Sequence, residues 1–409
     1  MKKIAYIILI FGFLACGKTS SNDHIQTEPT VETSGIRPKV KVYIENSGSM
    51  DGYVKGVTDF EQAIYNYLTD IRISDLTDSM QFNYINSAIL QQSADISSFI
   101  ENLEPSVFQA RGGNRSSTDI AQALQLLLSQ QNDSVVSIFV SDCIFSPDRG
   151  KKADEYLINQ QIAIKLLLAE HLKKYDTALI IYQLNSQFSG LYYNCENRAT
   201  SINARRPFYI WLLGKPEYLK RFREKIPDNK FKGSGVENVF SMTSGKKEIP
   251  YAVRLGSGDF KLDQLHPKNH IVNAKKSTVR KDAGQFTFSV DTDLSDLLLD
   301  ENYWNETTHF RLNDKDFQLK IARSPRNSKG YATAFNFSSS IVKQSDLSVQ
   351  LLKSIPTWVE TKNDDSGRDI HAPEAMSKTF GIKYLIGGIY EAYTHENDYY
   401  AELKISINK

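Results

Sequence analysis

The sequence predicts an α/β fold: a doubly wound, mostly parallel sheet over residues 38–228, followed by a β-rich, sandwich-like region over residues 229–409. Three observations predict it. Apolar strands alternate with helical patterns up to about residue 228. From about Gly233, short strands of alternating polarity replace them. The 409 residues suffice for two or three domains, and a further split near residue 300 stays open.

Composition excludes several classes of protein. Apolar residues make up 41% and charged residues 24%, which are values of a globular chain rather than of a disordered chain or a coiled-coil rod. Lys and Arg total 49 against 48 Asp and Glu, a net charge of +1. Because bulk positive charge is missing, nucleic acid is not expected as a partner. Three cysteines are too few for a disulfide scaffold.

The first 15 residues predict a lipoprotein signal peptide. Two lysines precede Ile4–Leu14, an almost wholly apolar run that is shorter than the ~20 residues needed to cross a bilayer. The run ends in Leu14-Ala15-Cys16-Gly17, which resembles the bacterial lipobox. The resemblance implies cleavage before Cys16 and a lipid on that residue. The alternative is an ordinary signal peptide with an incidental cysteine.

Lipidation implies a location in the bacterial cell envelope, with the chain held to the membrane through Cys16. Residue 17 is Gly rather than the Asp that retains lipoproteins in the inner membrane, which indicates the outer membrane. The leaflet stays open. Residues 16–38 are polar, rich in Ser and Thr, and without periodicity, so they predict a flexible tether.

The first folded region alternates strands and helices. Strands are predicted at Val40–Ile44, Met80–Ile85, Val135–Val140, Ala178–Tyr182 and Phe208–Leu213. Helical spacing is found at Phe60–Ile71, Ile96–Leu103, Thr118–Leu128 and Ala153–Lys174, and again after Lys215. Ligands of such folds bind beyond the carboxyl ends of the strands.

Oxygen-bearing side chains cluster at that edge. Ser47 and Ser49 lie two residues apart in the loop after the first strand, where their hydroxyls can converge with the side chain of Glu45. Thr118 begins a later helix, and Asp142 follows the buried strand at 135–140. Hydroxyl, carboxylate and water oxygens suit Mg²⁺ or Mn²⁺. The sequence therefore predicts a divalent-metal site made by these five residues.

The motifs Glu45-Asn46-Ser47-Gly48-Ser49-Met50, Ser117–Leu124 and Ile138–Asp142 resemble a von Willebrand factor type A domain over residues 38–228. That family carries Asp-x-Ser-x-Ser after its first strand, then a distant Thr, then an Asp that ends a later strand. The resemblance implies a metal-ion-dependent adhesion site. It also implies a protein partner that completes the metal shell with an acidic side chain.

In one respect the sequence departs from the family. Glu45 stands where Asp is usual. Its extra methylene either displaces the carboxylate from the metal, or is accommodated by a water that bridges the carboxylate and the ion. The alternative is a fold that kept its loops and lost the ion. Two nearby acids, Asp51 and Asp119, are expected to be a solvated loop residue and a favourable first-turn charge respectively, each able to tune the site.

Other candidate sites are weaker. Cys143 and Cys195 remain after lipidation, and a disulfide between them is left open beside the alternative of two free thiols. Arg205 and Arg206 are expected to be a solvated pair. We find no catalytic motif in the sequence, so an enzyme is not predicted.

The C-terminal half predicts a different structure. Its alternating strands are expected at 251–255, 285–290, 309–312, 317–321, 332–337, 346–353 and 399–407. Phe380–Tyr390 predicts one amphipathic helix, although it contains three glycines. The role of residues 229–409 stays open. Two rivals to adhesion therefore remain. One is an envelope enzyme with the type A-like domain as recognition module and an unrecognised catalytic β domain, and the other is a structural assembly subunit with a vestigial metal site.

Overall fold

A computed structural model describes residues 37–115, 119–147, 150, 152–279, 281–327 and 330–409. Residues 37–409 form one compact unit. The predicted leader, Cys16, most of the tether and Thr118 lie outside the described residues. Within the described ranges, no helix has both the length and the apolar character that spanning a membrane demands.

A seven-stranded mixed sheet forms the core of the first half. Its strands are β1 (Lys39–Glu45), β2 (Ser79–Ile85), β3 (Ile89–Gln92), β4 (Val135–Ser141), β5 (Ala178–Tyr193), β6 (Ala199–Gly214) and β7 (Asn238–Met242). They lie in the order β3-β2-β1-β4-β6-β5-β7. Strands β1, β2, β4 and β5 run one way, and β3, β6 and β7 run the other. The α/β class is therefore confirmed.

In the described part of this half, the helices are α1 (Asp59–Ile73), α2 (Ile96–Glu101), α3 (Pro105–Ala110), α4 (Ile120–Ser129), α5 (Ala153–Leu172) and α6 (Pro216–Lys225). Local chemistry sets where several of them begin. The Thr58 hydroxyl accepts from the Glu61 amide at the start of α1, and Pro216 opens α6. The predicted helices are all present, within a few residues at each end.

The arrangement of β5 and β6 differs from the alternating pattern. These strands form an antiparallel hairpin of 16 residues each, joined by residues 194–198. A parallel crossover needs a dozen or more residues, so this short connection excludes one. Strand β6 consequently lies between β4 and β5 and runs antiparallel to both. The sheet is not doubly wound at this point.

The C-terminal half adds further sheets, as predicted. The remaining strands are β8 (Tyr251–Val253), β9 (Lys261–Leu262), β10 (His270–Val272), β11 (Phe286–Thr292), β12 (Phe310–Leu312), β13 (Gln318–Arg323), β14 (Thr333–Ser339), β15 (Ser345–Leu352), β16 (Asn363–Asp364), β17 (Thr379–Phe380) and β18 (Tyr399–Ile407). They form sheets ordered β12-β15-β18-β10-β9, β13-β14-β11-β8 and β16-β17. The rings of Phe310 and Phe335, 5.0 Å apart, join the two larger sheets.

The regions before and after residue 228 contact each other. Strand β7 belongs to the first sheet although it lies beyond that boundary. The C-terminal half also contains α7 (Glu301–Asn305), α8 (Trp358–Thr361) and α9 (Ile382–Tyr393), and α9 packs against α5. A Cβ on Gly388 would lie 2.6 Å from the Gln161 carbonyl oxygen. The glycine is therefore needed for the close approach of these two helices. The predicted division into domains stays a prediction.

Candidate metal-binding site

The ends of two neighbouring parallel strands bring the first acid into place. Strands β1 and β4 pair in register, with Ile44 beside Val140, so Glu45 and Ser141 are neighbours at the same edge. Glu45 is 2% exposed, and the Ser141 hydroxyl donates to its Oε2. The same hydroxyl accepts from the Cys143 amide at 2.8 Å. Ser141, which the sequence did not single out, thus orients the Glu45 carboxylate.

The loop after β1 supplies two hydroxyls. A 3₁₀ turn at Gly48–Gly52 follows Ser47 directly and curls the chain back over the strand end. As a result the hydroxyl oxygens of Ser47 and Ser49 lie 2.9 Å apart. Ser47 is 4% exposed, whereas Ser49 is half-buried. The two hydroxyls thus lie together, whereas their predicted convergence with the Glu45 side chain on one cation stays a prediction.

Asp142 has one oxygen that its surroundings do not satisfy. The side chain is 1% exposed, and its Oδ1 accepts from the Ile144 amide at 3.1 Å. Among the described residues, Oδ2 has no hydrogen-bond partner. Burial raises the pKa of this carboxyl, while the nearby Ser49 hydroxyl acts in the opposite direction. Ser49 is thus close to Asp142 without making a hydrogen bond of normal geometry.

Buried polar atoms are almost always paired, so an unpaired carboxylate oxygen needs an explanation. A cation bound beside it would provide one. Within the described part of the chain, no group of three or more His, Cys, Asp or Glu side chains is placed to hold a metal ion. An ion at this position would therefore depend on hydroxyl and water oxygens as well as on carboxylates. That donor set fits Mg²⁺ or Mn²⁺ better than zinc.

Two acids near the site behave differently from each other. Asp51 is half-buried rather than fully solvated as expected: it pairs with Arg115, whose Nε also donates to the Asn46 carbonyl at 2.6 Å. Burial nevertheless raises the pKa of Asp51. Asp119 caps α4, as its first-turn position suggested, and accepts from the Gln122 amide at 3.0 Å. Arg115 therefore holds the Ser47–Asp51 loop, a role that nothing in the local sequence indicates.

The expectation of a solvated arginine pair is wrong for one member. Arg205 is exposed and pairs with Asp59, but Arg206 is 1% exposed inside β6. The Arg206 Nη1 donates to the carbonyls of residues 375, 376 and 378 at 3.0, 3.1 and 3.0 Å. Its guanidinium also lies 5.0 Å from the centre of the Tyr192 ring. The physical reason is strand alternation, which turns consecutive side chains to opposite faces.

The two cysteines are separate free thiols, so the disulfide left open by the sequence is not formed. Cys143 is fully buried, and burial raises the pKa of its thiol well above the ordinary value, with smaller contributions from Asp142 and Glu45. Cys195 lies at the tip of the β5–β6 hairpin, where its amide donates to the Gly367 carbonyl at 2.8 Å. The surroundings of both thiols are thus those of buried, structural cysteines rather than of reactive ones.

An arm covers the site from one side. The part of the hairpin beyond the sheet, residues 184–208, packs on the turn at Gly48–Gly52. A Cβ on Gly52 would lie 2.5 Å from the Phe188 ring, and one on Gly190 would lie 2.8 Å from the Gly52 Cα. A Cβ on Gly48 would meet the Tyr193 hydroxyl at an ordinary 3.6 Å. The arm therefore packs tightly on the turn at Gly52 and leaves ordinary contact distances at Gly48.

Comparison with known proteins found no match among models of protein families, none among curated proteins and none among solved structures.

Proposed function

We propose that the chain is a lipid-anchored protein of the bacterial envelope that binds a protein partner through a divalent-metal site on a von Willebrand factor type A-like domain. The observation that carries this proposal is the unpaired, buried Oδ2 of Asp142 beside Ser49. The sequence motif supports it, because the other described positions of the motif converge at the same edge of the sheet.

Each residue has a distinct part. Ser47 and Ser49 would present hydroxyl oxygens, and Asp142 would present its free carboxylate oxygen. Glu45 would contribute negative charge, with its carboxylate already oriented by Ser141. Thr118 is proposed as a third hydroxyl on the motif alone. A bound Mg²⁺ would supply a coordination position for an acidic group of the partner.

The surroundings limit how a partner approaches. Glu45, Ser47 and Asp142 are each 4% exposed or less, whereas Gly48 and Ser49 are half-buried, so among these described positions the Gly48–Ser49 side is the more accessible to solvent. Such deeply buried ligands favour a single projecting Asp or Glu side chain over a flat surface. Arg115, whose side chain is 16% exposed, pairs with Asp51 and donates to the Ser47 carbonyl at 3.3 Å, so it holds this side of the loop in place.

The direct test is thermal unfolding of residues 17–409 in Mg²⁺, Mn²⁺ or EDTA. A ligand that binds only the native state at a hundredfold excess over its dissociation constant stabilises by about 2.7 kcal/mol. We expect a metal-dependent rise in the parent that is lost in Ser49→Ala. The control is Ser129→Ala, which removes an exposed hydroxyl at the end of α4. Equal unfolding in all three buffers would overturn the metal site and favour the structural-subunit alternative.

A further inference from the structure

Helix α5 has an apolar stripe on its solvent face as well as on its core face. Among the described residues, Ile158, Ile162 and Leu166 are 50%, 58% and 58% exposed. Spaced four residues apart, they form one continuous stripe along the helix. The core face is separate and is made by Leu157, Ile164 and Leu168. Three large aliphatic side chains are thus exposed on one face of a 20-residue helix.

Opposite charges lie at the two ends of the stripe. Glu155 precedes it and Lys173 follows it, and both side chains are exposed. They are 18 residues apart, which is five complete turns of an α-helix, so they lie on the same side as the stripe. Glu155 and Lys173 are each nine residues, about 13 Å, from position 164. Ile162 and Leu166 are each two residues from the same position. About position 164, Ile162 and Leu166 are therefore symmetric in shape, and Glu155 and Lys173 are antisymmetric in charge. Ile158 lies outside this symmetric part, because the equivalent position, 170, is a glutamate.

We propose that this stripe is a self-association surface, on which α5 of a second copy of the chain lies antiparallel. A two-fold axis at position 164 places Ile162 of one copy against Leu166 of the other, twice. It also places Glu155 of each copy against Lys173 of the other, and it opposes the two helix dipoles. A parallel pairing would instead set Glu155 against Glu155. The charges thus select the antiparallel arrangement.

Other occupants fit the stripe less well. The predicted tether, residues 16–38, offers only Ile25, Val31 and Ile36 as large aliphatic side chains, without helical spacing. An anionic lipid surface would meet exposed Glu155 and Glu170 along the same face. The stripe itself covers only a few hundred Å², less than the ~800 Å² per partner of a stable complex. The dimer is therefore weak and reversible.

Sedimentation velocity of residues 17–409, from about 5 µM to about 500 µM, tests the proposal. We expect the weight-average mass to rise toward that of a dimer in the parent. Ile162→Asp is expected to remain monomeric throughout. The matched control is Ile73→Asp, which alters a 76% exposed aliphatic residue on α1 and should dimerise like the parent. Circular dichroism and unfolding temperature check that each variant is folded.

Charge reversal tests the register. Glu155→Lys and Lys173→Glu should each weaken association about tenfold, and the double variant should restore it, because the interhelical pairs are then exchanged rather than lost. A parent that stays monomeric at every concentration would overturn the proposal. So would a dimer that survives Ile162→Asp, or a double variant that does not recover. These outcomes do not depend on the metal site.

Discussion

Asp142 and Arg206 interact electrostatically in the interior although 64 residues separate them in the chain. Each is 1% exposed, and Arg206 opposes the rise in the pKa of Asp142 that burial causes. The guanidinium also donates to three carbonyls of residues 375–378. The carboxylate edge of the first sheet is thus electrostatically linked to the segment before α9.

Asp142→Asn is expected to separate fold from metal binding. In EDTA at pH 7 the variant should be at least as stable as the parent, because burial penalises the ionised carboxylate that the substitution removes. In millimolar Mg²⁺ it should show none of the parent's stabilisation. Thermal unfolding in both buffers measures this. The control is Asp133→Asn, an exposed acid that pairs with Lys215. A large loss of stability in EDTA would contradict the prediction and indicate that Arg206 requires the negative charge.

Arg206→Met and Arg205→Met form a matched pair of neighbouring variants. The first removes three hydrogen bonds donated by a buried guanidinium and should cost at least about 3 kcal/mol of unfolding free energy. The second breaks only an exposed ion pair with Asp59 and should cost about 0–1 kcal/mol. Urea unfolding measures both. Similar costs for the two variants would show that the buried contacts of Arg206 contribute little.

Gly52→Ala tests the packing of the arm on the site loop. The new Cβ would lie 2.5 Å from the Phe188 ring, so the variant should lose about 1–3 kcal/mol of stability. Gly48→Ala is the control, because its nearest neighbours would be at 3.6 Å. Combining Gly52→Ala with Phe188→Leu should restore part of the loss. If Gly52→Ala unfolds like the parent, the arm is not held tightly on the turn.

His171 predicts a pH dependence. Burial lowers the pKa of this imidazole from 6.5 to about 4, and its Nε2 is 2.9 Å from the Thr177 hydroxyl. Between these values the unfolded chain binds more protons than the folded protein, so stability rises with pH. The contribution is complete above pH 6.5 and is lost as the pH falls through about 4.

The stability advantage of the parent over His171→Gln should therefore shrink on acidification across that window. Urea unfolding at several pH values measures the difference. His371→Gln, which changes an exposed histidine, should keep the parent's pH dependence. An advantage that is constant with pH would show that His171 titrates normally in the folded protein.

Local pattern determined much of this protein. The pattern of apolar residues predicted β1, β2, β4 and most of the C-terminal strands, because a strand that buries one or both faces carries apolar residues at the buried positions. Likewise the Glu45–Ser49 motif and Asp142 could be placed together, since parallel strands end at a common edge. Those parts of the fold and of the candidate site were predictable because they depend on periodicity and chain order.

Tertiary structure decided the rest. Strand β6 runs antiparallel to β5 because only five residues connect the two strands. The residues of β6 by themselves do not indicate in which direction the strand runs. Arg115 and Arg206 became part of the site's surroundings through partners 64 to 172 positions away. Such contacts depend on how distant segments pack, and no local period encodes them. The sequence by itself determined which oxygen-bearing side chains come to this edge of the sheet, because chain order places them there, and packing decided how deeply they are buried.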